Sequence, residues 1–163
     1  MERPAPSRRS IAIASIGIFA IAVTVRVPSC YESFWLDELL SAWWVWGTAA
    51  EVFPRADIGH QPPFYFVGLW IWKQLVGDAE VAMRLSSVLA VAASCIVLTL
   101  GVTRWTGSLA AGSAAGLVLA LERNSLFFGT ELRPYAMVIL FTSIALVCFF
   151  RLVRSESRAE HRG

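Results

Sequence analysis

Uncharged apolar runs alternate with short polar stretches along this 163-residue chain. Crossing a hydrocarbon core of about 30 Å takes roughly 17–25 helical residues. Four runs reach or nearly reach that length, at residues 10–25, 85–103, 105–121 and 134–150. The first extends to residue 27 if Arg26 directs its charge outward along the helix. The pattern predicts an all-α integral membrane protein with about four transmembrane helices, one over 10–27 and three within 85–150.

The longest region between these runs, residues 28–84, is predicted to lie outside the bilayer with one or two interfacial helices. A first amphipathic helix is predicted over about residues 34–50. Its apolar positions are Leu36, Leu39, Leu40, Trp43 and Trp44. A second helix is predicted over about 61–76, where a tryptophan-rich apolar run is too short to cross and fits an interfacial or re-entrant position.

Composition and charge support a membrane protein and indicate its orientation. The chain is 56% hydrophobic, above the usual 45–50% or so of soluble domains. A net charge of +2 without a basic stripe excludes a nucleic-acid partner. If the run at 61–76 does not cross, the arginines of segment 1–9, Arg104 and those of the tail 151–163 share one side, which the positive-inside rule assigns to the cytoplasm. We therefore expect a multi-pass plasma (inner) membrane protein with both termini cytoplasmic.

Three polar motifs interrupt this apolar background, and all three fall on the outer face in this topology. Ionisable residues beside bilayer-length segments are costly, so they point to a functional site. Asp37 and Glu38 begin the first interfacial helix, and either can act as a general base. Adjacent helical residues diverge by about 100°, so the two cannot serve one small site equally well. A purely structural interpretation, in which both acids complement the helix dipole, stays open.

The other two motifs offer groups that can bind phosphate. His60 precedes Pro62-Pro63 and can donate to a phosphate, ligate a metal or simply face water. Arg133 can clamp a phosphate with its planar fork, while Glu131 orients it or binds a divalent ion. The plain alternative is that these residues only flank a helix. The three cysteines show no metal-ligand spacing, so no defined metal site is predicted.

In this order the motifs resemble the N-terminal part of the polytopic GT-C glycosyltransferases of the dolichyl-phosphate-mannose–protein mannosyltransferase and aminoarabinose-transferase type. The matching segments are FWLDE at 34–38, HQPPFY at 60–65, the pattern from Gly77 through Arg84 to Ser87, and GTELRPY at 129–135. The chain departs from the family pattern at Gln61, where proline is common, and at Thr130 and Leu132, which replace glutamine and alanine.

The resemblance implies an enzyme that moves a hexosyl or pentosyl group from a polyprenyl-phosphate-linked sugar to a lipid, glycan or protein acceptor at the outer face. It implies catalytic roles for Asp37 and Glu38, with Asp37 as the base. It also implies carrier-phosphate or substrate contacts from five further residues: His60, Arg84, Glu131, Arg133 and Tyr135. A divalent metal ion is compatible with this site, with Glu131 and His60 as the candidate ligands.

Members of this family are several times longer than this chain. We therefore expect the isolated chain to be incomplete, as a truncated product or one part of a split enzyme whose remaining half completes the carrier cavity. Two alternatives stay open. One is a catalytically inactive, family-derived membrane protein that binds a lipid phosphate or a partner, and the other is a small membrane scaffold.

Overall fold

The structure is a computed structural model that describes residues 6–160, with side chains described through residue 154. The predicted segments 1–9 and 151–163 therefore lie partly outside the described residues. Within the described range the chain is all-α, as predicted, and has no strand. The helices are α1 (Arg8–Thr24), a 3-10 turn (Val27–Tyr31), α2 (Leu36–Trp44), α3 (Ala49–Ile58), α4 (Pro63–Val76), α5 (Glu80–Thr106), α6 (Leu109–Leu121), α7 (Arg123–Phe128) and α8 (Tyr135–Glu160).

Three segments of the described chain are long and apolar enough to cross a membrane: Arg8–Tyr31, Glu80–Thr106 and Tyr135–Arg154. The remaining predicted run, 105–121, is divided differently. Gly107 adopts φ 72° and ends α5, and the Ser108 side chain then accepts the Ala111 N–H to start α6. α6 has only 13 residues, about 20 Å of helix, which is shorter than the hydrocarbon core.

α1, α5, α6 and α8 form a bundle around one apolar core. Small residues let α6 approach α5 closely, because a Cβ on Gly112 would overlap the Thr103 side chain and one on Gly116 would overlap that of Thr99. These two glycines, four residues apart, thus form a packing surface within the chain.

Arg26 departs from its predicted position. The sequence suggested a snorkelling flank, but the side chain is fully buried. It donates to the carbonyls of Ala22 and Ala120 at 2.9 and 3.0 Å and to Ser125 Oγ at 2.8 Å. These are groups at the ends of α1 and α6 and within α7. Free helix-end carbonyls need donors, so the guanidinium stays inside and joins three helices.

α2, α3 and α4 cover one end of the bundle and share a second core with α5. The single helix predicted over 34–50 is divided into α2 and α3. Gly47 has φ 86°, and the Thr48 N–H and hydroxyl donate to Glu51 at 2.7 and 2.9 Å to start α3. α4 occupies the region predicted at 61–76, with Pro63 at its first position and Gly77 at φ 87° beyond its end.

Candidate functional site

Polar groups from three elements converge where α2–α4 cover the bundle. They come from the first turn of α2, the first turns of α5, and the loop between α7 and α8. α1 ends and α8 begins at this same end of the molecule. The Asp-Glu and Glu-x-Arg motifs are therefore brought together, although they lie more than 90 residues apart in sequence.

A buried ion pair anchors this arrangement. Arg84 donates from Nε to Glu38 Oε1 at 2.8 Å and from Nη2 to Oε2 at 2.5 Å, and both side chains are at most 5% exposed. Glu38 Oε1 also accepts the Leu132 backbone N–H at 2.8 Å. One carboxylate thus fixes α2, α5 and the loop before α8. Such charge-assisted, two-point contacts are the strongest hydrogen bonds in proteins.

The remaining hydrogen-bond donors of Arg84 bond to backbone carbonyls of the segment before α2. The guanidinium donates to the carbonyls of Cys30 and Ser33, each at 3.2 Å, and to that of Glu32. It also lies 4.8 Å from the centre of the Phe34 ring. Arg84 was predicted to contact carrier phosphate or substrate. In this structure its donors hold the protein itself, so it positions the motif that contains Asp37.

Asp37 points the other way from Glu38. Its side chain is 39% exposed and faces Arg133, with Nη2 of Arg133 at 3.8 Å from Oδ2 of Asp37. Arg133 Nη1 also lies 3.5 Å from the Asp37 carbonyl oxygen, and its Nε is buried without a partner among the described residues. These contacts are long for charge-assisted hydrogen bonds. The Arg133 fork therefore keeps donor capacity for a ligand.

Glu131 lies beside this pair and is only 6% exposed. Its backbone carbonyl accepts the Ser87 hydroxyl at 2.6 Å, which fixes the loop against α5. Burial raises the pKa of the Glu131 carboxyl, and the nearby Glu38 carboxylate raises it further, while Arg133 acts in the opposite direction. The Glu131 carboxyl is therefore a weaker acid than an ordinary glutamate.

Two cavities open next to these groups. A mixed polar cavity of about 440 Å³ is lined by Glu38, Arg84 and Glu131, together with Trp35 and Arg123. A larger apolar cavity of about 680 Å³ lies between α4, α5 and α8. Its lining includes Pro62, Tyr65, Leu89, Pro134 and Phe141. The site therefore combines a charged region with an adjoining apolar groove.

The two remaining predicted residues lie at the margin of this cluster. His60 is exposed in the turn between α3 and α4, with φ 51°, and no hydrogen bond or ion pair joins it to the cluster within the described residues. Tyr135 is 41% exposed and packs against Phe128 with ring centres 4.7 Å apart, and the Arg133 guanidinium lies 6.0 Å from the Tyr135 ring centre.

The donor groups do not fit a divalent metal ion. Within the described residues, no group of three or more histidine, cysteine, aspartate or glutamate side chains is arranged to hold one. Glu38 is committed to Arg84, and His60 lies apart. The carboxylates present interact with arginines instead, an arrangement suited to phosphate.

Two residues near the site were not selected from the sequence. Tyr65 belongs to the HQPPFY motif and lines the apolar cavity, and burial raises the pKa of its hydroxyl. The motif itself was the signal that could have identified it. Arg123 lines the polar cavity from α7. That helix is capped by the Glu122 side chain, which accepts the Ser125 N–H at 2.7 Å. A helix of six residues is too short to show apolar periodicity in the sequence, so α7 was not predicted.

A family model described as dolichyl-phosphate-mannose-protein mannosyltransferase matches residues 60–160, more than half of the chain. The matched range contains His60, Arg84, Glu131, Arg133 and Tyr135, whereas Asp37 and Glu38 precede it. No curated protein and no solved structure gives a significant match.

Proposed function

The chain belongs to the dolichyl-phosphate-mannose-protein mannosyltransferase family, and from this premise we propose that it carries the sugar-transfer site of a GT-C glycosyltransferase that uses a polyprenyl-phosphate-linked sugar. The observation that carries the proposal is the Glu38–Arg84 anchor. It holds the Asp37 carboxylate 3.8 Å from the Arg133 guanidinium, beside the buried Glu131 carboxyl. A base, a phosphate-binding fork and a buried carboxyl thus share one site.

In the proposed reaction, Asp37 takes the proton from an acceptor hydroxyl. The acceptor oxygen forms a bond to the anomeric carbon while the bond from that carbon to the phosphate oxygen breaks. The electron pair of the broken bond leaves on the polyprenyl phosphate, and Arg133 stabilises that charge. A single displacement of this kind inverts the configuration of the sugar.

The apolar cavity supports a lipid-linked donor. Pro134 lines this cavity and directly follows Arg133 in the chain, so a phosphate at Arg133 lies next to an apolar groove between α4 and α8. We assign the first isoprene units of the carrier to this groove. A soluble nucleotide sugar has no long apolar group that could fill so large an apolar cavity beside its phosphate.

The predicted orientation is part of the proposal. Arg154 donates to the Arg104 carbonyl at 3.0 Å, which places the ends of α5 and α8 together and away from the site. α1 begins at that same end, since its other end contacts α7 through Arg26. Gathering of arginines at one end supports a cytoplasmic placement of both termini, with the site at the outer face of the plasma (inner) membrane.

Asp37 is more than a third exposed in the described structure, and the acceptor has no defined pocket there. We propose that further polypeptide, such as the remaining part of a split enzyme, completes the acceptor side. A second candidate function is binding of a lipid phosphate without transfer. The Arg84 donors are already bonded within the protein, so they do not distinguish the two functions. Arg133 and the apolar groove are suited to both.

The test is transfer by Asp37→Asn in proteoliposomes that contain a radiolabelled polyprenyl-phosphate sugar and membrane acceptors. Loss of the base is expected to lower the rate by about 10²–10⁴-fold, with donor binding retained. Asp57→Asn is the matched control, because this exposed carboxylate on α3 lines neither cavity and has no hydrogen-bond or ion-pair partner for its side chain within the described residues. Transfer by Asp37→Asn at the parent rate would rule out Asp37 as the base. A parent that binds donor but transfers nothing even when the remaining part of the enzyme is present would favour the binding function.

A further inference from the structure

A cluster of arginines surrounds a small apolar crevice at the end of the bundle opposite the proposed transfer site. The crevice lies between α5 and α8 and has a volume of about 100 Å³. Its walls are apolar side chains of the two helices, and its rim carries three arginines: Arg104, Arg151 and Arg154. The proposed sugar transfer uses none of these residues.

The packing of α5 against α8 explains why the crevice exists. The two helices approach closely at Gly101, where an added Cβ would overlap the side chain of Val147. One turn further along α5, Trp105 stacks on Phe150 with ring centres 4.6 Å apart and planes 25° from parallel. The crevice opens around these contacts. Aromatic residues of this kind favour the headgroup level of a bilayer, so the crevice borders lipid.

No acidic side chain among residues 6–154 forms an ion pair with the rim arginines. The three ion pairs among the described side chains, residues 6–154, join Arg55 to Glu51, Arg84 to Glu38 and Arg133 to Asp37. None of these involves the rim. All three rim arginines are exposed.

The three rim arginines differ in what they contact. Arg154 donates to the carbonyls of Arg104 and Trp105 at 3.0 and 2.8 Å and so caps the end of α5. The guanidinium groups of Arg104 and Arg151 make no side-chain hydrogen bond within the described residues. Two cations therefore stand over an apolar crevice with their donors available.

We propose that this crevice is a binding site for an anionic phospholipid of the surrounding membrane. Its phosphate would lie between Arg104 and Arg151, and part of one acyl chain would lie in the crevice against α5 and α8. Basic pockets between transmembrane helices are suited to acidic headgroups, and arginine forks match phosphate oxygens. A free phosphate ion would use the rim but leave the apolar wall without a partner.

The experiment is native mass spectrometry of the full chain in detergent, titrated with phosphatidylglycerol and, separately, with phosphatidylcholine. Detergent removes the charged bilayer surface, so binding reports the site itself. The parent is expected to retain phosphatidylglycerol in preference to phosphatidylcholine. Arg104→Gln/Arg151→Gln is expected to bind phosphatidylglycerol roughly 30-fold more weakly, about fivefold for each arginine.

Arg8→Gln/Arg9→Gln is the matched control, because it removes the same charge from the start of α1 at the same end of the bundle. It should change the affinity by less than about twofold, since it acts only through screened, distant charge. Val102→Trp tests the acyl-chain part by filling the crevice without a change in charge. It should lower phosphatidylglycerol binding while helical content and elution volume stay those of the parent.

Four results would overturn the proposal. Two concern selectivity: equal retention of the two lipids by the parent, and equal loss of binding in the two double variants. The others are displacement of phosphatidylglycerol by inorganic phosphate at similar concentrations, which would assign the rim to a free anion, and unchanged binding in Val102→Trp, which would exclude the acyl chain from the crevice. Failure of sugar transfer would not affect this test, because the two sites share no residue.

Discussion

Substituting Glu38→Gln should destabilise the protein far more than the loss of one surface charge would. The Glu38 and Arg84 side chains are 1% and 5% exposed, and the pair is joined at 2.8 and 2.5 Å. Removing one partner of a buried pair leaves an uncompensated charge and costs about 3–5 kcal/mol. For a chain of this size, that corresponds to a melting temperature lower by about 6–20 °C. The glutamine also cannot serve Leu132 N–H and Arg84 together as the carboxylate does.

The assay is thermal unfolding in detergent, followed by circular dichroism. Glu32→Gln is the control and should melt within about 2 °C of the parent, as isolated surface charges contribute little. Arg84→Lys keeps the charge but loses the planar fork, so it should fall between the parent and Glu38→Gln. The double variant Glu38→Gln/Arg84→Gln removes both charges and should cost less than the two single glutamine variants added together. A Glu38→Gln melting temperature within about 2 °C of the parent, or strict additivity, would refute the anchor.

Two further predictions concern the loop and the helix bundle. Burial raises the Glu131 pKa, so the folded state holds its proton more tightly than the unfolded state, and the parent should lose stability as pH rises through that raised pKa. Glu131→Gln mimics the protonated form, so its melting temperature should exceed that of the parent at neutral pH. The two melting temperatures should converge below about pH 4. A difference between them that does not vary with pH would contradict this assignment. Gly112→Ala should separate α6 from α5, because the new methyl group would overlap Thr103, and should lower the melting temperature, whereas Gly68→Ala has open space and should not. Equal melting temperatures for these two alanine variants would show that the α5–α6 contact is looser than described.

Continuous apolar runs identified the long helices because bilayer length and helical rise leave few alternatives. The sequence could also mark Gly112 and Gly116 as a close-packing surface. The helix boundaries were harder to predict from the sequence. Gly107 ends α5 and Gly47 lies in the turn between α2 and α3, both with positive φ values, and a glycine in an apolar run gives no sign of which conformation it will adopt.

The candidate site shows the same division between local and distant information. The motifs could be found, because each is local and chemically distinctive. The different positions of Asp37 and Glu38 could not, because they depend on an arginine 46 residues away from Glu38 and on a loop 94 residues away. Arg26 is a similar case: its partners on α6 and α7 turn a flanking charge into a buried clamp. Such pairings are set by tertiary packing, which hydrophobic periodicity does not encode.

Binding of a polyprenyl phosphate to the purified chain in detergent, measured by isothermal titration calorimetry, tests the proposed site most directly, since it does not require the chain to complete transfer alone. The parent should bind, and Arg133→Ala should bind roughly 10–150-fold more weakly, the loss of one charge-assisted hydrogen-bonding group. Arg9→Ala, an exposed arginine at the opposite end, should bind as the parent does. A parent that does not bind, or an Arg133→Ala variant with the parent's affinity, would contradict the assignment of carrier phosphate to this site.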